Sequence, residues 1–439
     1  MSSAPVPVPV AIIGGGLCGL SLSIALQSRS IPYKIYESRA SFTEIGAGIN
    51  LGPNTLKTFE LIDRSLGEAI LKLCTRNPPG RENVWMQARL GAPTDRFGDA
   101  ELITELMAPP TGNLTVRRND LLALLGDKAG PEQAAFNKKL IGLEQSDTYV
   151  TLKFSDGTQE VASTVIGCDG IHSAVRRSIV GAESLSATPQ FSECGVYRAI
   201  ISTEKLEQAV GAEIARTSNV FLGPDGYVIM YPVEGQKSVN VGLWPRRQGS
   251  WTEREWVIPA QKKAMEKEFD GWGGTVHKIM ELMDNPPFFA THHHSIQPDS
   301  FYKGRVCLIG DAAHSMPPHQ GAGAGQAMED AYVLAEVLGL VDPKSPSQEQ
   351  IKAAFKGYET VRKPRSQQVL DTSVEAMGFW SDLYHKDLEN QDVQDFIRRA
   401  YERFQWIWHD DIAGQAEQAR RYMQKDLDCA TVKVHNGVQ

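Results

Sequence analysis

Hydrophobic residues near the start of the chain follow first a strand pattern and then a helix pattern. The apolar run from Val10 to Ile13 ends at three glycines, and leucine, isoleucine and alanine then recur from Leu17 to Leu26. Residues 33–37 alternate in the manner of a second strand. A β-branched run, a glycine turn and a helical pattern in this order predict strand, tight turn and helix. Residues 10–37 are therefore predicted to form one β-α-β unit.

Strand patterns dominate the middle of the chain and helical patterns dominate its end. Residues 150–154 and 161–166 flank Asp156-Gly157 and predict a hairpin. Strand-like stretches predict an antiparallel sheet at 196–201, 220–222, 227–233 and 238–244. A compact apolar strand is predicted at 305–309, a long helix at 326–340, and mostly amphipathic helices at 348–426.

These patterns predict an α/β protein. Its larger part is a three-layer, Rossmann-like domain, with an antiparallel-sheet lobe and C-terminal helices added to it. We expect the Rossmann-like domain to be discontinuous and to comprise residues 1–75, 111–187 and 291–370. The segment 76–110, richer in proline, glycine and charge, is assigned with 188–290 to the second lobe. Residues 371–439 are assigned to the C-terminal helical region.

Composition and charge exclude several classes of protein. The chain has 439 residues, 41% of them hydrophobic, which is enough for a sizeable core. The formal net charge of −8 gives no electrostatic reason to bind nucleic acid or anionic lipid. No apolar run approaches the roughly 18 to 20 residues that cross a bilayer, and no signal-peptide pattern is visible. We therefore expect a soluble, cytoplasmic protein with neither membrane nor nucleic-acid partners.

Cysteine and histidine do not indicate a metal site. The six cysteines are scattered and form no CxxC pair, so neither a disulfide framework nor a zinc site is predicted. His292-His293-His294 would place neighbouring side chains on opposite faces of an extended chain, so all three cannot bind one ion. A structural hydrogen bond is expected for His314, and the role of His319 is left open.

The glycines after the first predicted strand fit a dinucleotide-binding turn. Residues 14–19 read G-G-G-L-C-G and match G-x-G-x-x-G between a strand and a helix. Gly14 permits the tight turn, Gly16 lets a diphosphate approach the backbone, and Gly19 lets helix and strand pack closely. Glu37, 23 residues after Gly14, suits a ribose diol and would repel a 2′-phosphate. The nucleotide held here is predicted to be FAD or NAD, and this motif does not separate the two.

Two further blocks repeat the strand, turn and helix pattern. Residues 165–176 contain Asp169-Gly170, and residues 304–314 contain Gly310-Asp311, followed by Pro317-Pro318 and a glycine-rich run at 321–325. With the first motif, these blocks resemble the single-component, FAD-dependent aromatic hydroxylases that have the para-hydroxybenzoate hydroxylase fold. The resemblance extends from Val10 to about Arg365. It implies FAD as cofactor, with NADPH or NADH as a transient reductant and O2 as oxidant.

The resemblance also assigns cofactor contacts. It implies that Asp311 holds the ribityl chain and that the backbone at 317–325 lies beside the isoalloxazine ring. It implies that Arg118 contacts the cofactor, with Arg117 as the alternative. Asp169 matches a residue near the diphosphate, although a structural turn role is also open. The full set of expected cofactor-binding residues is Gly14, Gly16, Gly19, Glu37, Gly48, Arg118, Asp169, Asp311, Pro318, Gly321, Gly323 and Ala324.

Two residues of the second lobe are candidates for catalysis. The segments 195–199 and 230–233 resemble pocket strands of fungal salicylate-hydroxylase-like enzymes, which hydroxylate and often dearomatise phenolic polyketides. The resemblance implies that Arg198 and Tyr231 hold a substrate phenolate. Ionising a phenol with a pKa near 10 costs roughly 4 kcal/mol at pH 7. A nearby guanidinium lowers such a pKa by about 1 to 3 units, so one arginine could supply most of that energy.

The sequence, with this resemblance, thus predicts an FAD-dependent monooxygenase, a monomer or homodimer, that hydroxylates or dearomatises a small phenolic substrate derived from a polyketide. Alternatives within the enzyme class are decarboxylative hydroxylation of salicylate-like acids, where Arg198 would meet a carboxylate, and epoxidation of an alkene or indole. A catalytically inactive flavin-binding regulator is the alternative outside it. Phe404, Trp406 and Trp408 have helical spacing and are expected to pack or dimerise.

Overall fold

The computed structural model describes residues 8–42, 48–342 and 345–436. The strands are β1 (Val8–Ile13), β2 (Tyr33–Tyr36), β3 (Gly48–Leu51), β4 (Val84–Leu90), β5 (Leu102–Met107), β6 (Leu114–Arg117), β7 (Ala134–Ala135), β8 (Leu140–Gln145), β9 (Val150–Phe154), β10 (Gln159–Gly167), β11 (Gln190–Ser202), β12 (Asn219–Gly223), β13 (Gly226–Val233), β14 (Ser238–Pro245), β15 (Val257–Ile258), β16 (Phe288–His293), β17 (Tyr302–Lys303) and β18 (Val306–Leu308).

The α-helices are α1 (Leu17–Gln27), α2 (Pro53–Ile62), α3 (Arg64–Leu73), α4 (Arg118–Ala129), α5 (Ala174–Val180), α6 (Thr203–Val210), α7 (Ala212–Arg216), α8 (Lys262–Glu268), α9 (Gly274–Glu281), α10 (Asp311–His314), α11 (Gly323–Leu338), α12 (Gln348–Asp382), α13 (Asn390–Trp408) and α14 (Ile412–Asn436). No described helix is both long and apolar enough to cross a membrane.

The first sheet brings the three glycine-containing turns together. Its order is β17-β18-β10-β1-β2-β7, and the hairpin of β8 and β9 extends β10. Strands β18, β10, β1 and β2 are parallel, with Ile13 beside Gly167 and Gly167 beside Leu308. Parallel strands end at the same edge, so the turns after β1, β10 and β18 converge there. The predicted β-α-β unit and the predicted hairpin are both confirmed.

The second sheet forms the wall opposite that edge. Its order is β15-β16-β11-β14-β13-β12-β4-β5, antiparallel except between β12 and β4. All four strands predicted between 196 and 244 are present in it. Strands β4 and β5, from the proline- and glycine-rich segment, also belong to this sheet. The predicted α/β class with an antiparallel sheet is therefore confirmed.

The two faces of the second sheet differ in what covers them. On one face, alternate residues such as Val228, Met230, Val241 and Leu243 pack in a core with apolar side chains of α6, α8 and α9. On the other face, Tyr227 and Trp244 join a core with apolar side chains of α12 and α13. Because successive strand residues point to opposite faces, Ile229, Tyr231, Asn240 and Gly242 share this second face. This second face is therefore the one turned toward the glycine-containing turns of the first sheet.

Candidate functional site

One large cavity lies between the converging turns of the first sheet and the second sheet. Its volume is about 690 Å³, within the range of small-molecule and cofactor sites. It extends from Gly14 and Glu37 at the first turn to Arg198 and Trp244 on the second sheet. Side chains of α12 and α13 also reach it. A dinucleotide and a small aromatic molecule could therefore meet in this one space.

The first turn has the backbone that a close-approaching ligand requires. Gly14 has φ of +103°, and a Cβ there would lie 2.5 Å from the Cys168 carbonyl oxygen. A Cβ on Gly19 would lie 2.0 Å from the Gly14 carbonyl oxygen, so helix and strand pack closely only with glycine. Gly16 differs, because a Cβ there would meet nothing within 4 Å. Gly16 therefore borders open space that a ligand can fill.

Two helix N-termini face this cavity. Helix α1 begins after Gly16 and α11 begins after Ala322, and neither N-cap residue makes a side-chain capping bond. Neither helix has an acidic residue in its first turn. The first N–H groups of a helix lack partners within it, and the helix dipole favours negative charge there. These two ends are suited to anionic groups such as phosphates.

The glycine-rich segment leading into α11 lines the cavity along its backbone. Pro318, Gly321, Gly323 and Ala324 all border the space. Gly321 has φ of +64°, which an L side chain rarely adopts, and a Cβ there would lie 3.8 Å from its nearest neighbours. The segment thus presents main chain rather than bulky side chains to a flat ligand.

Glu37 braces the first turn. Its Oε2 accepts a hydrogen bond from the Gly15 amide at 2.7 Å, and its Oε1 accepts from the Arg39 amide at 2.8 Å and from the Ser38 hydroxyl. A carboxylate offers about four lone-pair positions, so acceptor capacity remains for a ligand hydroxyl. Glu37 borders the cavity, as the predicted ribose contact requires.

Asp169 caps helix α5 at the second turn. Its carboxylate accepts hydrogen bonds from the Ser173 hydroxyl and from the amides of Ala174, at 2.7 Å, and Val175, at 3.2 Å. Burial raises the pKa of Asp169. Asp169 also borders the cavity. It therefore has the structural turn role that the sequence left open, and it also lies where a cofactor contact is predicted.

Buried charges fix the third turn. Gly310 has φ of +59°, and its amide donates to Asp330 Oδ2 at 2.9 Å. Asp330 also bonds to His314 Nε2 and accepts from Arg362 Nε at 2.8 Å. Burial alone would raise the pKa of Asp330, but His314 and Arg362 hold it at about 2. Asp311, one residue after Gly310, is exposed toward the cavity.

Arg118 and Arg117 lie in different surroundings. Arg118, at the start of α4, lines the cavity. Arg117 is more exposed and forms an ion pair with Glu234. Of the two arginines that the sequence offered, only Arg118 is placed for a cofactor contact.

Arg198 is a cation that no described residue pairs with. Among the residues that the structure describes, it makes no hydrogen bond and no ion pair, and its Nε is enclosed and unsatisfied. It lies on β11 opposite Gly242 of β14 and borders the cavity. Burial lowers its pKa, although an arginine stays protonated at neutral pH. An interior cation of this kind is costly unless an anion pairs with it.

Tyr231 uses its hydrogen within the protein. Its hydroxyl donates to the Gly48 carbonyl oxygen at 2.6 Å and so joins β13 to β3. Burial raises the pKa of Tyr231 to about 12. A phenolic group has one hydrogen to donate, so it can offer a ligand only a lone pair while this bond persists. The predicted hydrogen bond from Tyr231 to a phenolate would require this bond to break.

His319 is buried and neutral beside the cavity. Its Nδ1 bonds to the Tyr227 hydroxyl at 2.6 Å, and its carbonyl oxygen accepts from Trp380 Nε1 at 3.0 Å. Burial lowers its pKa to about 3. His314, in contrast, is held by Asp330 behind the third turn, as its predicted structural bond requires.

Most residues of the pocket wall are not predicted by the sequence. Trp85, Trp244, Trp380 and Phe404 line the cavity, together with the polar residue Asn240. Phe404 and Trp408 pack as expected, but Phe404 also reaches the site. The alternation 240, 242, 244 along β14 is a signal that could have indicated a shared face with Arg198. No local pattern connects Trp380 or Phe404 to the site.

The predicted site residues converge with one exception. All predicted cofactor-binding and catalytic residues border the cavity except Gly19, which is buried behind the first turn. The side chains of the three consecutive histidines have different partners: His292 stacks on Trp256, His293 bonds to Ser192, and His294 bonds to Ser315. Within the described ranges no group of three or more histidine, cysteine or acidic side chains could hold a metal ion.

Comparisons with known proteins agree on one family. A family profile described as FAD binding domain matches residues 7–373. 6-Methylsalicylate 1-monooxygenase atA of Aspergillus terreus (strain NIH 2624 / FGSC A1156) is 34% identical over 94% of this chain and 91% of its own. A salicylate hydroxylase of Pseudomonas putida is 32% identical over 94% of each chain. A solved salicylate hydroxylase substrate complex has a TM-score of 0.82 at 28% identity, over 95% of this chain and 98% of that one.

Proposed function

Because the chain belongs to the family of FAD-dependent aromatic monooxygenases, we propose that it hydroxylates a small aromatic anion held by Arg198. Its cofactor is FAD, and its reaction consumes NAD(P)H and O2. The proposal rests on one observation: the cavity wall carries the Arg198 guanidinium, whose Nε is enclosed and which no described residue pairs with. Arginine recognises carboxylates and phenolates through charge-assisted hydrogen bonds.

The residues of the cavity fit FAD. At Gly16, the Cβ of any other residue would occupy part of the open space. The two uncapped helix ends could receive the phosphates of FAD. In this proposal Glu37 accepts from the ribose, Asp311 from the ribityl chain, and the backbone at 321–324 lies along the ring system. When bound, FAD takes electrons from NAD(P)H and passes one oxygen atom of O2 to the substrate, the other leaving as water.

Arg198 would both bind the substrate and set its charge. For a phenol, a nearby guanidinium lowers the pKa by about 1 to 3 units, and each unit is worth about 1.4 kcal/mol. An ionised ring is more nucleophilic toward an electrophilic oxygen than a neutral one. For a salicylate-like acid, the same guanidinium would hold the carboxylate and orient the ring.

Other side chains would exclude water and shape the ring site. Trp85, Trp244, Trp380 and Phe404 supply apolar walls. We assign Tyr231 a positioning role, because its bond to Gly48 fixes β13 against β3. In this proposal, the positioning role takes the place of the phenolate contact that the resemblance implies for Tyr231.

A decarboxylative reaction is the second candidate, favoured by two relatives whose names refer to salicylates. Purified holoprotein should oxidise NAD(P)H faster when salicylate, 6-methylsalicylate or a simple phenol is added. Product mass separates the reactions: one added oxygen means hydroxylation, and one added oxygen with loss of carbon dioxide means decarboxylation. Loss of aromatic absorbance with one added oxygen would indicate dearomatisation, for which a polyketide-derived phenol is the proposed substrate.

If no aromatic compound in such a panel stimulates NAD(P)H oxidation, the proposed function is wrong. A protein that binds FAD but oxidises no NAD(P)H with any aromatic compound would favour the inactive flavin-binding regulator. The oligomeric state, monomer or homodimer, is a separate proposal that sedimentation analysis tests.

A further inference from the structure

Asn240 is a buried amide on the cavity wall that makes no hydrogen bond to any residue the structure describes. It lies on β14 and is 3% exposed, and its Oδ1 is unsatisfied in the described part of the chain. It is not on any of the three glycine turns. Its neighbours across the sheet are Tyr231 on β13 and Ile200 on β11.

An unpaired amide in such a place destabilises the folded protein. Buried polar groups are nearly always hydrogen-bonded, and an orphan has lost its hydration without compensation. A leucine would fill a similar volume without that penalty. The same sheet contains a contrasting case: Asn219 is fully buried, and its side chain bonds to Arg89, Ile214 and Thr217.

Strand register places Asn240 near Arg198. Arg198 is paired with Gly242, and Asn240 lies two residues along β14 on the same face. Side chains in this diagonal relation have backbone positions roughly 7–8 Å apart, which long side chains can span. Gly242, directly across from Arg198, has no side chain, and the nearest atom to where its Cβ would lie is Trp244 Nε1, at 3.0 Å. A guanidinium and an amide can thus contact one aromatic ring from the same wall.

The two groups require different partners. The guanidinium only donates and pairs with an anion, whereas a side-chain carbonyl oxygen accepts from an un-ionised O–H group. We propose that Asn240 determines specificity by accepting a hydrogen bond from a neutral hydroxyl on the ring whose anionic group is held by Arg198. The substrate class is then a hydroxylated aromatic anion rather than an unsubstituted one. This inference rests on the proposed function, because it takes the substrate to occupy the space beside Arg198.

The test compares ligands that differ by one hydroxyl. Benzoate and 2-, 3- and 4-hydroxybenzoate are titrated into the FAD-loaded protein without NAD(P)H, and Kd is read from the change in flavin absorbance. Wild type should bind at least one hydroxybenzoate about 10-fold or more tightly than benzoate. In Asn240→Leu that ratio should fall below about 3-fold, while the Kd for benzoate changes little. Asn240→Ala serves if the leucine variant does not fold.

The thermal melting temperature distinguishes a specificity role of Asn240 from a structural role. Asn240→Leu should melt at the same temperature as wild type or higher, because it loses no described hydrogen bond. The matched control Asn219→Leu, in the same sheet, should melt lower and keep the wild-type ligand ratio wherever it folds. A lower melting temperature in Asn240→Leu would assign the residue a structural role and overturn the inference.

The outcomes separate this inference from the proposed function. A hydroxyl preference that survives in Asn240→Leu overturns the inference. Wild-type protein that binds all four ligands equally overturns it too, but leaves an anion site at Arg198. If none of the four binds, both the inference and the proposed aromatic-anion site are wrong.

Discussion

Replacing Arg198 by methionine tests the anion site directly. Methionine keeps much of the length of the side chain and removes the charge and all the donors. Because Arg198 makes no described hydrogen bond or ion pair, the substitution breaks nothing within the protein and acts on the ligand alone. Removing one partner of a buried, hydrogen-bonded charge pair typically costs about 2 to 5 kcal/mol of binding free energy. At about 1.4 kcal/mol per tenfold, the Kd should rise roughly 30-fold or more.

The assay is a titration of FAD-loaded protein with salicylate, followed by the flavin absorbance. Arg198→Met should retain the wild-type FAD content and melt at the same temperature or slightly higher, since an interior unpaired cation has been removed. Arg246→Met is the matched control, because Arg246 is exposed at the end of the same sheet and outside the cavity. A salicylate Kd within about threefold of wild type in Arg198→Met would refute the anion-site reasoning. A marked loss of thermal stability would instead show that the guanidinium supports the fold.

Three further results are expected. Gly16→Val should fold normally but lose FAD on gel filtration, whereas the exposed control Gly271→Val should keep it; equal retention would contradict the placement of the diphosphate. Burial, assisted by Arg176, lowers the pKa of His294 to about 3, so the unfolded state binds one more proton between pH 6.5 and 3 and stability falls as pH falls. His294→Asn should reduce the slope of the urea-unfolding free energy against pH by about 1.4 kcal/mol per pH unit between pH 6 and 4.5. An unchanged slope would contradict this. Arg362→Met should lower the unfolding free energy by about 3 to 5 kcal/mol, because it removes the cation shared by the buried carboxylates of Glu329 and Asp330 and leaves them only their other partners; a loss below 1 kcal/mol would be inconsistent with a buried ion-pair cluster.

The three turns at one end of the cavity could be predicted from the sequence because each is encoded locally. A strand, a turn that needs positive φ at Gly14 and a helix that starts at Leu17 are encoded within a few residues. The same logic repeats around Asp169 and Asp311. Parallel strands then bring the three turns to one edge without further information.

The substrate half depends on contacts between distant segments. Trp380 and Phe404 reach the cavity from helices that begin at residues 348 and 390, and their helical spacing indicates packing alone. The amide of Asn240 appears unpaired only when its neighbours on β11 and β13 are known. The bond from Tyr231 to Gly48, which changes the expected role of Tyr231, joins residues 183 positions apart.

The most direct test of the account is isotopic. FAD-loaded protein is given NAD(P)H, salicylate and ¹⁸O₂, and the aromatic product is analysed by mass spectrometry. Each product molecule should contain one ¹⁸O atom, and Arg198→Met should form none of that product. NAD(P)H consumption that yields only hydrogen peroxide, with salicylate and with every other aromatic anion tried, would contradict it.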